Sequence, residues 1–185
     1  AYNNIGTILS TLRKNNEAIS YYRMAVKFEP NSASAHNNLG NALSLKRKWG
    51  EAISHYKTAI KHKPDYAKAY NNIGTILSTV GKNEEAISYY RMAVKFKPDF
   101  APAHSNLGNA LSSKRKWEEA IAHYRMATKL EPGFAEAHLN FGNALFEKGK
   151  VKEAIDRYKK TLKIRPDLVP AQKNLEMALR VDKTK

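Results

Sequence analysis

The chain has 185 residues, no cysteine and a formal charge of +15. Without cysteine there are no disulfides, thiolate metal sites or cysteine nucleophiles, and a charge this large points to anionic partners until its distribution is known. No apolar run of membrane-spanning length and no leader pattern is present, so the expectation is a soluble, cytoplasmic segment; a first residue of Ala1 rather than Met suggests an excised or processed piece.

The opening stretch AYNNIGTIL, Ala1 to Leu9, predicts the first helix, with Tyr2, Ile5, Gly6 and Leu9 on one face. It returns as AHNNLGNAL at Ala35, AYNNIGTIL at Ala69, AHSNLGNAL at Ala103 and AHLNFGNAL at Ala137. Proline keeps the same step of 34 residues at Pro30, Pro64, Pro98, Pro132 and Pro166. Residues 1–34 match 69–102 closely and 35–68 match 103–136 less closely, so the unit last copied is a pair of repeats.

Within the second repeat, Leu39, Gly40 and Leu43 share a helical face, and Lys46-Arg47-Lys48 interrupts it. A new face follows with Ala52, Tyr56 and Ala59, and Pro64-Asp65 closes the unit, with Asp65 as the expected N-cap of the next helix. Glycine inside a helix costs up to about 1 kcal/mol against alanine. Gly6, Gly40, Gly74, Gly108 and Gly142 in register therefore imply a contact that forbids a side chain. The ring of Tyr56 is placed to fill the space beside Gly40 and Ala52.

The repeat step, the Leu-Gly pair, the alanine heading the second helix, the aromatic four residues on and the closing proline together resemble the tetratricopeptide repeat. The resemblance covers almost the whole chain. It implies an all-α fold, an α-solenoid of about five stacked helical hairpins at 1–32, 33–66, 67–100, 101–134 and 135–168, with the first helices lining a concave face. Residues 169–185 read as a C-terminal capping helix and tail, since Glu176 stands where glycine should be.

On the first helices the asparagines project away from the Gly face. In such a fold Asn4, Asn38, Asn72, Asn106, Asn140 and Asn174 would line the groove as a ladder, next to Thr7, Asn41, Thr75, Asn109 and Asn143. Carboxamides donate and accept, so a ladder of them suits the backbone of an extended peptide whatever its side chains. The same groups can instead bond neighbouring helices and set the stacking, and the two readings are compatible. The ladder resembles those of arrays attached to protein O-glycosyltransferases. The carboxylate clamp of co-chaperone arrays is not matched. Its first lysine site holds Asn3, Asn37, Asn71, Ser105 or Leu139, its arginine site holds a ladder asparagine, and of its cations only Lys68 fits.

The positive charge falls in registers: Arg23, Lys57, Arg91, Arg125 and Lys159; Lys27, Lys61, Lys95, Lys129 and Lys163; and Lys14, Lys48, Lys82, Lys116 and Lys150 in the hairpin turns. The first two lie on the outer side of the second helices. Their monotony argues against nucleic acid or an anionic membrane surface as partner. His36, His104 and His138 take the place of Tyr2 and Tyr70 and read as packing residues. Equivalent positions of adjacent repeats lie about 10 Å apart, too far to share a zinc ion. Trp49 and Trp117 read as inter-repeat core. Phe146 and Leu139 fall on groove-side registers, as an apolar pocket or as packing against the cap.

No nucleophile–base–acid set, phosphate loop or paired-carboxylate site is present, so no enzyme, cofactor or metal is expected. The reading is an interaction scaffold that binds an extended peptide or protein segment. Its alternatives are a structural array that self-associates end to end through the N-terminal repeat, and a convex basic face that binds an anionic partner.

Overall fold

The computed structural model describes residues 1–183; the end of the expected tail, residues 184 and 185, lies outside them. Helices account for most of it, and packing divides the chain into two compact units, the first from Ala1 to Pro98 and the second from Asp99 onward. The first unit holds α1 (Tyr2–Thr11), α2 (Asn15–Phe28), α3 (Ala33–Leu45), α4 (Trp49–His62), α5 (Ala67–Thr79) and α6 (Asn83–Phe96). The second holds α7 (Ala101–Ser113), α8 (Trp117–Leu130), α9 (Ala135–Glu147), α10 (Val151–Ile164) and α11 (Val169–Lys183). Consecutive helices pair as α1–α2, α3–α4 and α5–α6, then α7–α8 and α9–α10, and each hairpin packs on the next within its unit. First helices also touch first helices, as α1–α3–α5 and α7–α9–α11, so each unit has a face made of first helices alone.

The predicted faces form the core. Leu39 and Leu43 of α3 are buried with Ala52, Tyr56 and Ala59 of α4. Each in-register glycine lies against the tyrosine of its own hairpin: a Cβ built on Gly40 would stand 2.5 Å from Tyr56 Cε1, and one on Gly6 2.7 Å from the Tyr22 ring. Those distances are shorter than carbon atoms tolerate, which is why a residue poor for helices recurs there.

The hairpin turns share one backbone device. In the second hairpin Lys48 N–H donates to Leu43 O at 3.0 Å and Arg47 N–H to Ser44 O at 2.9 Å, the paired bonds that close a helix on a left-handed residue. That residue is Arg13 (φ 59°), Arg47 (58°), Gly81 (80°), Arg115 (58°) or Gly149 (74°). A side chain in this region is strained by about 1–2 kcal/mol, partly offset by the freedom glycine loses on folding. Arg47→Gly is therefore expected to raise stability by about 0.5–1 kcal/mol, and Gly81→Ala to lower it comparably. Denaturant titration of both variants checks the sign.

Asp65 does not cap α5. That helix starts after Tyr66 without a side-chain cap, and Asp65 instead accepts the Ala67 N–H through its own carbonyl at 2.8 Å. Ser32, by contrast, accepts the Ala35 N–H through its hydroxyl at 3.4 Å. The lysines placed in the turns are the N-cap residues of the second helices. They reach toward a glutamate three residues on, as in Lys14–Glu17, Lys48–Glu51, Lys82–Glu85 and Lys150–Glu153 at 3.0–3.4 Å. Both second-helix registers of cations are exposed. At the start of the first unit Ile5, Ile8 and Leu12 are 40%, 60% and 63% exposed, whereas Ile73 and Ile76 of α5 are 1% and 4% exposed. On α11, Ala171 and Ala178 are buried, and Glu176 is exposed in an ion pair with Arg180 at 2.5 Å.

Candidate functional site

The tyrosine that fills the glycine gap also reaches the face made of first helices. Tyr56 O–H donates to Asn41 Oδ1 at 2.8 Å, and Asn72 Nδ2 donates to the same oxygen at 2.8 Å from the next hairpin. Asn72 gives its other amide hydrogen to Asn37 Oδ1 at 3.1 Å, and Asn38 donates to Asn3 Oδ1 at 3.1 Å. Where the groove residue is threonine the tyrosine bond is longer: Tyr22 to Thr7 at 3.3 Å and Tyr90 to Thr75 at 3.4 Å. Thr7 and Thr75 hold their hydroxyls in place by donating to the carbonyls of Asn3 and Asn71, both at 3.0 Å.

The second unit repeats the arrangement. Asn109 Oδ1 accepts from Tyr124 O–H at 2.8 Å and Asn140 Nδ2 at 2.9 Å. Asn143 Oδ1 accepts from Tyr158 O–H at 3.0 Å and Asn174 Nδ2 at 2.8 Å. Burial pushes the phenols of Tyr124 and Tyr158 up to about 12 and raises those of Tyr56 and Tyr90 as well, so these hydroxyls keep the proton they donate. Of the remaining ladder positions, Asn4 is exposed on α1 and Asn106 half-buried on α7.

In the second unit the amides form the floor of a cavity of about 550 Å³. Its lining joins Asn109, Asn140, Asn143 and Asn174 to the apolar Trp117, Phe146 and Met177, with Ser112 and Glu147 beside them. Trp117 is thus half-buried on the cavity and not inter-repeat core. Trp49 is also half-buried, with the Arg47 guanidinium 5.6 Å above its ring. Phe146 lines the cavity, facing Met177 of α11 as part of the same lining, whereas Leu139 is half-buried outside it. Sequence reasoning missed Met177, which stands one repeat after Asn143 in the same register, because an apolar side chain there breaks the amide and hydroxyl pattern.

The histidines pack within hairpins, as expected, but in pairs that the sequence hid. His36 Nδ1 and His55 Nδ1 lie 3.0 Å apart, as do His104 Nδ1 and His123 Nδ1. His36 Nε2–H donates to Pro30 O at 3.0 Å, so its Nδ1 accepts from His55. Burial and then the neighbouring His36 depress the His55 pKa. Ring centroids 5.3 Å apart put the two nitrogens head-on, as in a hydrogen bond, so their lone-pair directions oppose each other and do not converge on a shared ion.

Among the described residues no helix is long and apolar enough to cross a membrane. Comparison with curated proteins found no match. Among solved structures, the chain resembles the Pseudomonas aeruginosa protein PilF at 19% identity, with a TM-score of 0.89 over 98% of this chain and 83% of that one. It resembles MamA at 26% identity, with a TM-score of 0.73 over 89% and 90%. YrrB, described as a TPR protein with an unusual peptide-binding site, matches at 24% identity and a TM-score of 0.71 over 92% and 88%. These likenesses establish the all-α solenoid fold. A tetratricopeptide repeat profile matches residues 31–99, and a second TPR repeat profile matches 12–46, 110–149 and 142–175. With the glycine–tyrosine contact present in every hairpin, the chain belongs to the tetratricopeptide repeat family.

Proposed function

We propose that the chain is a non-catalytic scaffold that holds an extended peptide along its first-helix faces. The observation that carries this reading is the cavity on α7, α9 and α11, with an amide floor and walls of Trp117, Phe146 and Met177. Asn140 and Asn174 each spend one amide hydrogen on the preceding hairpin. The second hydrogen and the carbonyl oxygen of each remain to pair with a peptide backbone. The ladder is thereby both structural and available, and bonds that fix its rotamers lower the entropy lost on binding. Asn106 adds to this face on α7, and in the first unit Asn4, Asn38, Asn41, Asn72, Thr7 and Thr75 form the corresponding face, where Asn72 already spends both amide hydrogens within the ladder. The apolar walls add one side-chain pocket to an otherwise sequence-tolerant floor. The unusual peptide-binding site of YrrB is in keeping with this use of the fold.

Peptides enriched from a random library should bind with little dependence on salt, because the floor is uncharged. Asn140→Ala should weaken them about fivefold, the worth of roughly one hydrogen bond. Phe146→Ala should weaken only those carrying an apolar side chain at one fixed position. Binding that falls steeply with salt and ignores both changes would overturn the peptide groove. The alternative, end-to-end association of copies, draws on the exposed Ile5, Ile8 and Leu12; the same preparations run in sedimentation across a concentration series separate it from peptide capture.

A further inference from the structure

The last hairpin breaks the histidine rule of the second and fourth. The second-helix position held by His55 and His123 is held there by Arg157. His138 keeps its other bond, Nε2–H donating to Pro132 O at 3.2 Å, which leaves Nδ1 as an acceptor. His138 is 3% exposed, and its Nδ1 is buried without a hydrogen-bond partner. So is Nε of Arg157. A buried acceptor and a buried donor left unmade in one place are costly and call for a bound group.

Both residues line an open cavity of about 390 Å³, to which α9 contributes His138 and Phe141 and α8 and α10 the remaining lining. Arg125 and Lys129 reach it from α8, Arg157 and Glu153 from α10. The one carboxylate, Glu153, is 3.4 Å from Lys150. The Arg157 guanidinium lies 5.0 Å over the Phe141 ring, which fixes the donor against the wall.

We propose that this cavity binds a phosphate group, held by Arg125, Lys129 and Arg157 and hydrogen-bonded to Nδ1 of His138. Water would satisfy the orphaned atoms but leave the cations uncompensated. A carboxylate would answer the cations but has no proton to give Nδ1. A phosphate bearing one proton does both: its O–H donates to Nδ1 while another oxygen accepts the Arg157 Nε–H. Arginine and lysine together suit the multiple oxygens of that group. Burial, and then the charges of Arg157 and Lys160, hold the His138 pKa below the ordinary imidazole value, against the Pro132 bond. A ring kept neutral in this way retains the Nδ1 lone pair that the phosphate O–H meets.

The test follows the ring nitrogens of His138 by long-range proton–nitrogen NMR. Inorganic phosphate and O-phosphoserine are titrated separately at neutral pH, with acetate at matched ionic strength as control. Phosphate is expected to shift the His138 signals saturably, and acetate is not. Arg157→His restores the pair found in the second and fourth hairpins, so it should fold, and it should weaken phosphate binding about tenfold or more. Lys129→Ala, on an exposed site, should weaken it severalfold. A response to phosphoserine as well as phosphate assigns the site to phosphorylated side chains; a response to phosphate alone assigns it to the free anion. Unmoved His138 signals, equal shifts with acetate, or undiminished binding in Arg157→His would overturn the proposal.

Discussion

Gly74→Leu is expected to destabilise the protein by about 3 kcal/mol, whereas Lys95→Ala should change stability by less than about 0.5 kcal/mol. A Cβ on Gly74 would stand 2.7 Å from Tyr90 Cε1 and 2.8 Å from Cδ1. The ring has nowhere to retreat. Tyr90 is 3% exposed, packed beside the buried Ala86, and its hydroxyl is engaged by Thr75 at 3.4 Å. Leucine adds three further carbons to a space already too small for one, so α5 must move off α6 or the ring must leave the core. Lys95 is exposed on the far side of α6, its ammonium 5.9 Å over the Phe96 ring, a contact of small worth in water. Thermal melts of the two variants are the measurement. Equal losses would mean that the glycine register is not set by the tyrosine contact.

Asn143→Leu is expected to cost about 2 kcal/mol, one for each hydrogen bond removed. Asn143 Oδ1 accepts from both Tyr158 and Asn174, and leucine offers neither donor an acceptor. The Asn174 bond is also one of the ties between α11 and the hairpin beneath it, so amide exchange in α11 should accelerate more than in α9 or α10. Hydrogen exchange read helix by helix checks this. A uniform acceleration across the second unit would show that the bond stabilises the unit as a whole and does not anchor α11 in particular.

The glycine, alanine and tyrosine registers were legible because each is written five times at one spacing, and the contact they make is local to a hairpin. The first-helix asparagines could be read as one register, but not as a network. Whether Asn72 bonds forward, back or to a ligand depends on where Asn37 and Asn41 stand in the preceding hairpin, which periodicity alone does not give. Asp65 misled because its residue type favours capping, while the turn geometry hands the position before α5 to Tyr66. Trp117 opens α8, where a side chain can swing to either side of the hairpin, so its place on the cavity wall was not fixed by spacing. The His36–His55 pair joins two helices across a turn, nineteen residues apart, and a comparison of equivalent positions between repeats passes over it.

The ring clusters of the hairpins are matched sets. Tyr2 stacks on Phe28 at 5.3 Å and lies 6.5 Å from Tyr21; Tyr70 meets Phe96 and Tyr89 at 5.4 and 6.3 Å. His36 instead faces His55 and His62, and His104 faces His123. Recombination between hairpins of this gene therefore has permitted and forbidden breakpoints. A crossover at the closing proline transfers a whole set and loses nothing. One in the turn at residues 46–48 would join a histidine first helix to a tyrosine second helix and strand an imidazole nitrogen against a phenyl edge. His138 opposite Arg157 belongs to neither set, so no exchange between the two kinds of hairpin produces it, and its buried Nδ1 is left without the partner a matched set supplies.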